Sequence, residues 1–407
     1  DDAGVECRLG DEPRTVPTGV DGVVLSPGVP RSRPLVDDAL RRGIPVVAEV
    51  ELAFPFLDGD VIGITGSNGK STTASLVAEI LRCADLPGVL CGNIGEPLSS
   101  KIEGPEGRIF VVELSSFQLE SVVRFRAHAA ALLNVSPDHM DRYPSLAAYA
   151  AAKERIFERQ GDDDTAVFNA DDAVCARAAT RVEKARVRYF SRRNPVADGC
   201  WSEGGAVLEA EPGAGAEEVF RLDEIRLPGT ANLENAMAAT LLARACGAAR
   251  DDVRRAVAGF AGLPHRLQHV ADLDGVAWYD DSKGTNVGAT LQSLAGFDDG
   301  SVHVILGGRS KGADFTALAD VVGRKAVRAY LVGESASEIR EALGDRVPVE
   351  AAGTLERAVR AAAAAARAGE VVVLSPACAS FDQFASFEDR GRRFQALVAT
   401  LAEGGDG

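Results

Sequence analysis

The stretch that decides the fold is Gly63-Ile64-Thr65-Gly66-Ser67-Asn68-Gly69-Lys70-Ser71. An apolar run at 61–65 predicts a buried strand before the loop, and helical periodicity follows at 71–83. Glycines let backbone N–H groups turn toward phosphate oxygens, and the N-terminus of the following helix adds partial positive charge. Lys70 is placed to reach the β- and γ-phosphates of a nucleotide, and Ser71 to ligate Mg²⁺. The loop therefore predicts an ATP site, although Ile64 breaks the strict GxxxxGK[ST] spacing.

Strand and helix patterns alternate around this loop, which predicts an α/β fold with parallel, doubly wound sheets. The predicted strands lie at 22–26, 44–48, 61–65, 109–114, 130–135, 165–168, 277–280, 302–306, 329–332 and 371–374, with short hairpin strands within 200–222. The predicted helices lie at 34–42, 71–83, 146–159 and 232–246.

Three domains are expected from this order. Residues 1–48 form a partial Rossmann-like domain, residues 49–262 a central P-loop ATPase-like domain, and residues 263–407 a C-terminal Rossmann-like domain.

Composition excludes several classes of protein. The 407 residues are 46% hydrophobic and 26% charged, which is typical of a globular protein and not of a disordered chain or a fibre. No apolar run reaches the roughly 18 residues that span a bilayer. The net charge of −16 argues against nucleic acid as a partner. Seven scattered cysteines without a CxxC pair indicate a reducing compartment, so we expect a cytoplasmic protein.

Three further side chains are candidates for chemistry. Glu113 ends a predicted strand beside the phosphate loop, where a carboxylate suits Mg²⁺. His139, between Asp138 and Asp141, either ligates metal or phosphate or is a structural histidine. Lys153 either faces solvent from a helix or is buried, in which case its pKa falls and its amine becomes reactive.

Polar loops at 280–286, 307–312 and 375–380 each follow a predicted strand. Together they predict one rim that binds polar or anionic groups, with Asn286 as a helix N-cap. These residues alone are compatible with a ligase, a kinase or a nucleotide-gated binding protein.

Over nearly its whole length the chain resembles the Mur ligases of peptidoglycan synthesis. The matching strings, in the order of that family, are GITGSNGKST at 63–72, GNIG at 92–95, ELSSFQLE at 113–120, LNVSPDHMDRY at 133–143, AAKERIF at 151–157, GLPHR at 262–266, DDSKGTNV at 280–287, LGGRSKGADF at 306–315 and LSPACASFDQF at 374–384. The strings at 113–120, 280–287 and 374–384 resemble the D-glutamate-adding members in particular.

The resemblance implies an ATP-dependent amide ligase that adds D-glutamate to UDP-N-acetylmuramoyl-L-alanine through an acyl phosphate. Such an enzyme acts in cytoplasmic peptidoglycan precursor synthesis, and hence in cell-wall formation, cell shape and division. We expect a monomer with ATP and two Mg²⁺ ions.

The resemblance also implies roles for individual residues. The catalytic residues would be Lys70, Glu113, His139 and Lys153. The ATP-binding residues would be Gly66, Ser67, Asn68, Gly69, Lys70, Ser71, Thr72, Asn232, Asn235, Arg266, Asp281 and Lys283. The substrate-binding residues would be Ser26, Asn93, His139, Thr285, Lys311, Ser380, Phe381 and Phe387. The metal ligands would be Ser71, Glu113, His139 and Lys153, the last as a carbamate formed with CO₂.

Alternatives remain at this point. The chain lacks the strand and Gly-rich loop that open the N-terminal domain of the family, so we expect a fragment truncated at its N-terminus. A related ligase would use another amino acid, such as L-glutamate. A nucleotide-binding fragment without a UDP site would be inactive.

Overall fold

Three β-sheets organise the protein in the computed structural model, which describes residues 13–26, 29–140, 142–226, 229–310 and 312–404. The first sheet pairs β1 (Val23–Leu25) in parallel with β2 (Val46–Ala48), and α1 (Pro34–Arg41) connects the two strands. The short helix α2 (Glu49–Ala53) then leads out of this N-terminal unit. A strand, a helix and a parallel strand form a partial Rossmann-like unit, as predicted for this part of the chain.

The second sheet contains nine strands and carries the phosphate loop. Its strands are β3 (Gly59–Thr65), β4 (Gly88–Gly92), β5 (Arg108–Glu113), β6 (Ala129–Leu132), β7 (Thr165–Asn169), β8 (Arg186–Ser191), β9 (Gly199–Glu203), β10 (Ala206–Ala210) and β11 (Glu217–Arg221). Its helices are α3 (Lys70–Cys83), α4 (Ser116–Leu119), α5 (Leu146–Glu154), α6 (Ala173–Ala179), α7 (Thr230–Ala245) and α8 (Arg250–Gly259). The spatial order is β11-β10-β9-β8-β7-β6-β3-β5-β4, parallel from β4 to β9 and antiparallel beyond.

Successive residues of the central strands face opposite sides of this sheet. Val111 packs into the cluster formed with α3, α7 and α8, whereas Phe110 and Val112 pack into a second cluster that contains Leu119 and Phe125. Both faces are therefore buried, which explains why β5 reads as a continuous apolar run. The strand order places β3 between β5 and β6, so the phosphate loop emerges between the ends of those two strands.

The third sheet forms the C-terminal unit. Its strands are β12 (Gln268–Leu273), β13 (Val276–Asp280), β14 (Val302–Gly307), β15 (Ala326–Val332), β16 (Val349–Gly353) and β17 (Val371–Leu374), and its helices are α9 (Val287–Ala295), α10 (Thr316–Lys325), α11 (Ala336–Leu343), α12 (Leu355–Ala365) and α13 (Phe387–Gly404). The order is β12-β13-β17-β14-β15-β16, parallel except for the β12–β13 pair. The strands β13, β17 and β14 are neighbours, which confirms that their three polar loops lie along one edge.

The predicted α/β class is confirmed, and each predicted strand is present with small shifts of its ends. Sequence patterns missed β4, β8, β12 and β16. The strands β4, β12 and β16 lie at sheet edges, and Arg186 and Arg188 interrupt the apolar pattern of β8. Among the described residues no helix is both long and apolar enough to cross a membrane.

Candidate active site

The phosphate loop is packed directly against the N-terminal part of α7. Gly69 has a φ of 86°, a left-handed conformation that favours glycine. A Cβ atom at this position would clash with the Asn235 side-chain oxygen, so a larger residue would require Asn235 to move. The helix α3 begins at Lys70, and its N-cap residue is Gly69, which has no side chain to cap it. Its first N–H groups are therefore available to an anion.

Hydrogen bonds hold the loop in one shape. The Lys70 ammonium donates to the carbonyl oxygens of Gly66 and Ser67, both at 2.9 Å. Asn134, which follows β6, accepts from the Asn68 backbone N–H at 2.9 Å and donates to the Asn68 carbonyl at 3.1 Å. The segment that follows β6 thus holds the phosphate loop in place.

Glu113 supplies a buried carboxylate beside this loop. It ends β5 opposite Ile64 of β3 and is only 3% exposed. Its Oε1 accepts from the Asn93 side-chain amide at 2.8 Å, whereas its Oε2 has no hydrogen-bond partner within the described residues. Burial raises the pKa of Glu113, but the Lys70 charge, the nearby Ser71 hydroxyl and the Asn93 amide outweigh burial and leave that pKa below its ordinary value. A charged carboxylate with an unpaired oxygen fits a hard cation.

Lys153 lies behind the loop and is 1% exposed. Its Nζ donates to the Gly66 carbonyl at 2.8 Å and lies 4.4 Å from the centroid of the Tyr149 ring. Burial and the Lys70 charge lower the pKa of Lys153 well below its ordinary value, against the opposing charges of Asp138 and Glu113. The interpretation as a solvent-facing helical lysine is therefore wrong, because Lys153 is buried.

His139 lies at the entrance to the cavity in a left-handed turn with a φ of 55°. Its ring packs edge-on against Phe117, with centroids 4.8 Å apart, and its Nε2 is 3.7 Å from Asp138 Oδ2. The turn therefore presents the imidazole to the cavity and does not bury it in a core.

The C-terminal unit completes the cavity. Arg266 donates from Nη2 to the Ser71 hydroxyl at 3.0 Å. Asp281 accepts from the hydroxyls of Ser293 and Ser375, both at 2.7 Å, and burial raises its pKa to about 6.

The Lys283 ammonium lies 3.7 Å from the centroid of the Phe387 ring. Burial and the nearby Arg266 charge lower the pKa of Lys283 to about 8.

The structure brings most of the predicted site residues to one cavity. Its lining includes Ser67, Asn68, Gly69, Lys70, Ser71, Thr72, Asn93, Glu113, His139, Asn232, Asn235, Arg266, Asp281, Lys283 and Thr285. Gly66 and Lys153 lie immediately behind this wall, linked by their hydrogen bond.

Four further predicted residues do not line this cavity either. Ser380 is buried, Phe381 is 62% exposed, Phe387 lies beneath Lys283, and Ser26 is exposed on the N-terminal unit. Lys311 lies outside the described residues. A second cavity between the N-terminal unit and His139 is lined by Pro30, Arg31, Ser32, Phe117, Glu120, His139 and Arg142.

Sequence reasoning missed one wall of the main cavity. It consists of Gly229 and Ala231 at the start of α7, and Ala289, Gln292 and Ser293 on α9. These small or neutral residues carry no motif, and only the three-dimensional proximity of the two helices identifies them. Asn286 was predicted only as an N-cap, and its Oδ1 does accept from the Ala289 N–H at 2.8 Å.

No group of three or more His, Cys, Asp or Glu side chains converges on one point in the part of the chain that the structure describes. A cation here would therefore complete its ligand shell with phosphate oxygens and water, as Mg²⁺ commonly does in nucleotide sites.

Comparison with known proteins identifies two matching family models. The Mur ligase middle domain matches residues 64–243, and the Mur ligase glutamate ligase domain matches residues 265–378. The UDP-N-acetylmuramoylalanine--D-glutamate ligase of Koribacter versatilis is 43% identical over 403 residues, covering 99% of this chain and 88% of that protein. The enzyme of the same name from Anaeromyxobacter dehalogenans is 45% identical over 415 residues, covering 98% and 88%.

The fold is also similar to that of solved ligases. The crystal structure of a MurF ligase from Thermotoga maritima in complex with ADP matches with a TM-score of 0.65 at 18% identity, covering 90% of this chain and 92% of that one.

Proposed function

Because the chain belongs to the UDP-N-acetylmuramoylalanine--D-glutamate ligase family of Mur ligases, we propose that it joins D-glutamate to UDP-N-acetylmuramoyl-L-alanine at the expense of ATP. The alanyl carboxylate attacks the γ-phosphorus, and the bond from that phosphorus to the bridging oxygen of ADP breaks. The D-glutamate amine then attacks the acyl phosphate, loses a proton, and displaces phosphate. The observation that carries this proposal is the convergence of a phosphate loop, a half-paired buried carboxylate and a buried lysine on a cavity that the C-terminal unit closes.

ATP fits the cavity with its phosphates at the start of α3. The uncapped first turn and Lys70 would hold the β- and γ-phosphates. Asn232 and Asn235 on α7, together with Arg266, Asp281 and Lys283, would contact the adenine, the ribose and the phosphates. The hydrogen bonds that Lys70 donates to the Gly66 and Ser67 carbonyls would pass to the γ-phosphate.

The residues present fit a first Mg²⁺ ion. Glu113 Oε2 is buried and unpaired within the described residues, and the Ser71 hydroxyl is close enough to lower the pKa of Glu113. These two groups would hold the ion, which neutralises charge on the phosphates when bound. Asn93 holds the other Glu113 oxygen and so fixes the direction of the carboxylate.

Lys153 fits carbamylation. A neutral amine adds to CO₂, forming an N–C bond and losing one proton, and the product carries a carboxylate. The N–H that a carbamate retains could still donate to the Gly66 carbonyl, which now accepts from Nζ. We propose that this carbamate and His139 hold a second Mg²⁺ ion.

The UDP-sugar and D-glutamate would enter the cavity from opposite sides. The second cavity lies between the N-terminal unit and His139, so the UDP-sugar would reach the γ-phosphate there. Ser26 of the N-terminal unit and Asn93, which lines the main cavity, would also contact the UDP-sugar. D-Glutamate would contact Thr285, Lys311, Ser380, Phe381 and Phe387 on the C-terminal unit. We also propose that residues 1–48, 49–262 and 263–407 act as three domains of a cytoplasmic monomer.

The test is phosphate release from ATP and Mg²⁺, with UDP-N-acetylmuramoyl-L-alanine present and D- or L-glutamate added or omitted. Release that requires the UDP-sugar and D-glutamate supports the proposal. Release only with L-glutamate would overturn the assignment of the amino acid. ADP formation without phosphate release and without any amino acid, with a stable phosphorylated product, would indicate a kinase. ADP binding without release would indicate a nucleotide-binding protein that does not catalyse ligation.

A further inference from the structure

Asn286 connects the C-terminal unit to two loops of the middle unit through one side-chain amide. Its Oδ1 accepts from the Ala289 N–H at 2.8 Å and so caps α9. Its Nδ2 donates to Asp138 Oδ2 at 3.0 Å and to Asn68 Oδ1 at 3.3 Å. The amide oxygen of Asn286 thus accepts within the C-terminal unit, whereas the amide N–H groups donate across the boundary to the middle unit.

The backbone beside Asn286 also lies close to the middle unit. A Cβ atom at Gly288 would lie 2.9 Å from Ser136 Oγ and 3.3 Å from Asn68 Nδ2. The first turn of α9 therefore rests directly on the loops that follow β3 and β6, and glycine permits this approach. The two units are therefore in direct contact beside the site.

The partners of Asn286 are themselves tied to the reacting groups. Asp138 accepts from the His139 backbone N–H at 2.9 Å, and Asn68 belongs to the phosphate loop. On the other side, Thr285 is adjacent in the chain and faces the cavity. One amide therefore links the phosphate side of the site to its amino-acid side.

We propose that Asn286 is a positioning residue that sets the distance between the acyl phosphate and the attacking amine. This inference rests on the proposed ligase function. The two reactants are held by different units, and the attack requires the reacting atoms to approach to about 3–3.5 Å. Asparagine suits this task because it supplies both donors and an acceptor without a charge that would compete for phosphate.

Two variants of Asn286 distinguish its capping of α9 from its contact with the middle unit. In Asn286→Asp the carboxylate still caps α9, because aspartate and asparagine are equally good N-caps, but it cannot donate and it faces Asp138. Asn286→Ser also keeps a capping oxygen, introduces no charge, and is too short to reach Asp138. The matched control is Thr354→Ala, which removes the cap of α12 in the same unit, away from the boundary.

We expect kcat for ligation to fall ten- to hundredfold in both Asn286 variants and KM for D-glutamate to rise, while ADP affinity changes less than threefold. Thr354→Ala should leave all three constants unchanged. In the double variant Asn286→Asp with Asp138→Asn, the amide at position 138 donates to the carboxylate at position 286. This reversed hydrogen bond should recover most of the lost kcat. Unchanged kcat in the Asn286 variants, or no recovery in the double variant, would overturn the proposal.

Amide hydrogen exchange reports the contact without relying on ligation. Loss of the contact should speed exchange at 287–290 and 66–70 in the Asn286 variants, but not at the start of α12. Unchanged exchange at both segments would overturn the positioning role. If the wild-type chain released no phosphate with D-glutamate, the ligase function would fail separately, whatever the exchange result.

Discussion

The Arg266 guanidinium donates to the Ser71 hydroxyl at 3.0 Å, which joins the C-terminal unit to the first turn of α3. Arg266 precedes β12, whereas Ser71 follows the phosphate loop of the middle sheet. Burial lowers the pKa of Arg266, and the charges of Glu113 and Asp281 oppose this effect. A single guanidinium therefore lies between the carboxylate proposed for Mg²⁺ and the loop proposed for the nucleotide.

Replacing Arg266 by lysine should weaken nucleotide binding. Arg266→Lys keeps the positive charge but loses the planar donor set that reaches Ser71. Arg266 also lines the cavity, and a hydrogen bond from its guanidinium to a nucleotide phosphate would contribute about 1.5–3 kcal/mol, so ADP affinity should fall about tenfold or more. Calorimetric titration measures the ADP affinity, and the variant Arg340→Lys, at an exposed position on α11, is the control. Equal affinity in Arg266→Lys and wild type would contradict this role.

Replacing Glu113 by glutamine should abolish most activity without unfolding the protein. Glutamine can still accept from the Asn93 amide, but it removes the charge that a cation requires. Loss of one preorganised electrostatic contact costs on the order of 10²–10³ in kcat. Phosphate release at saturating Mg²⁺ measures the loss, and thermal unfolding checks the fold. If more than a tenth of wild-type kcat survived, Glu113 would not be a metal ligand in the reaction.

Lys153→Ala should inactivate the enzyme, and a short carboxylate or excess bicarbonate should restore part of the activity. The side chain is 1% exposed, so its removal leaves a space that a small anion can enter. The exposed Lys184→Ala is the matched control and should behave as wild type with and without the additive. Full activity of Lys153→Ala without additive would remove the carbamate from the mechanism.

Nucleotide affinity should decrease as pH rises above about 8. The pKa of Lys283 is lowered to about 8, so the free protein loses this charge as pH rises through that value. Bound phosphates favour the charged form and raise the pKa, so binding takes up a proton above pH 8. The affinity should then fall by up to about tenfold for each pH unit.

The matched variant for this pH dependence is Lys283→Arg, which stays charged at every pH used. Titrations with ADP between about pH 7.5 and 9.5 should give a sloping profile for wild type and a flatter one for the variant. Parallel profiles would show that another group is responsible for the pH dependence.

The phosphate loop and its position were predictable because they depend on local chain properties. A buried strand, glycines with left-handed conformations and a helix beginning at Lys70 all follow from residues within one short segment. The rim formed by the loops after β13, β14 and β17 was also predictable, because parallel strands end at a common edge. The edge strands β4, β12 and β16 were not, since strands with partly exposed faces lack a continuous apolar run.

The sequence by itself determined the α/β class, the phosphate loop and the chemical types of the site residues. Only the tertiary structure decided that Lys153 is buried against Gly66 and that one Glu113 oxygen has no hydrogen-bond partner among the residues that the structure describes. It alone brought α9 to the cavity wall and Asn286 to Asp138. The physical reason is that helix, strand and turn preferences act over a few residues, whereas burial and pairing depend on segments that meet from distant parts of the chain.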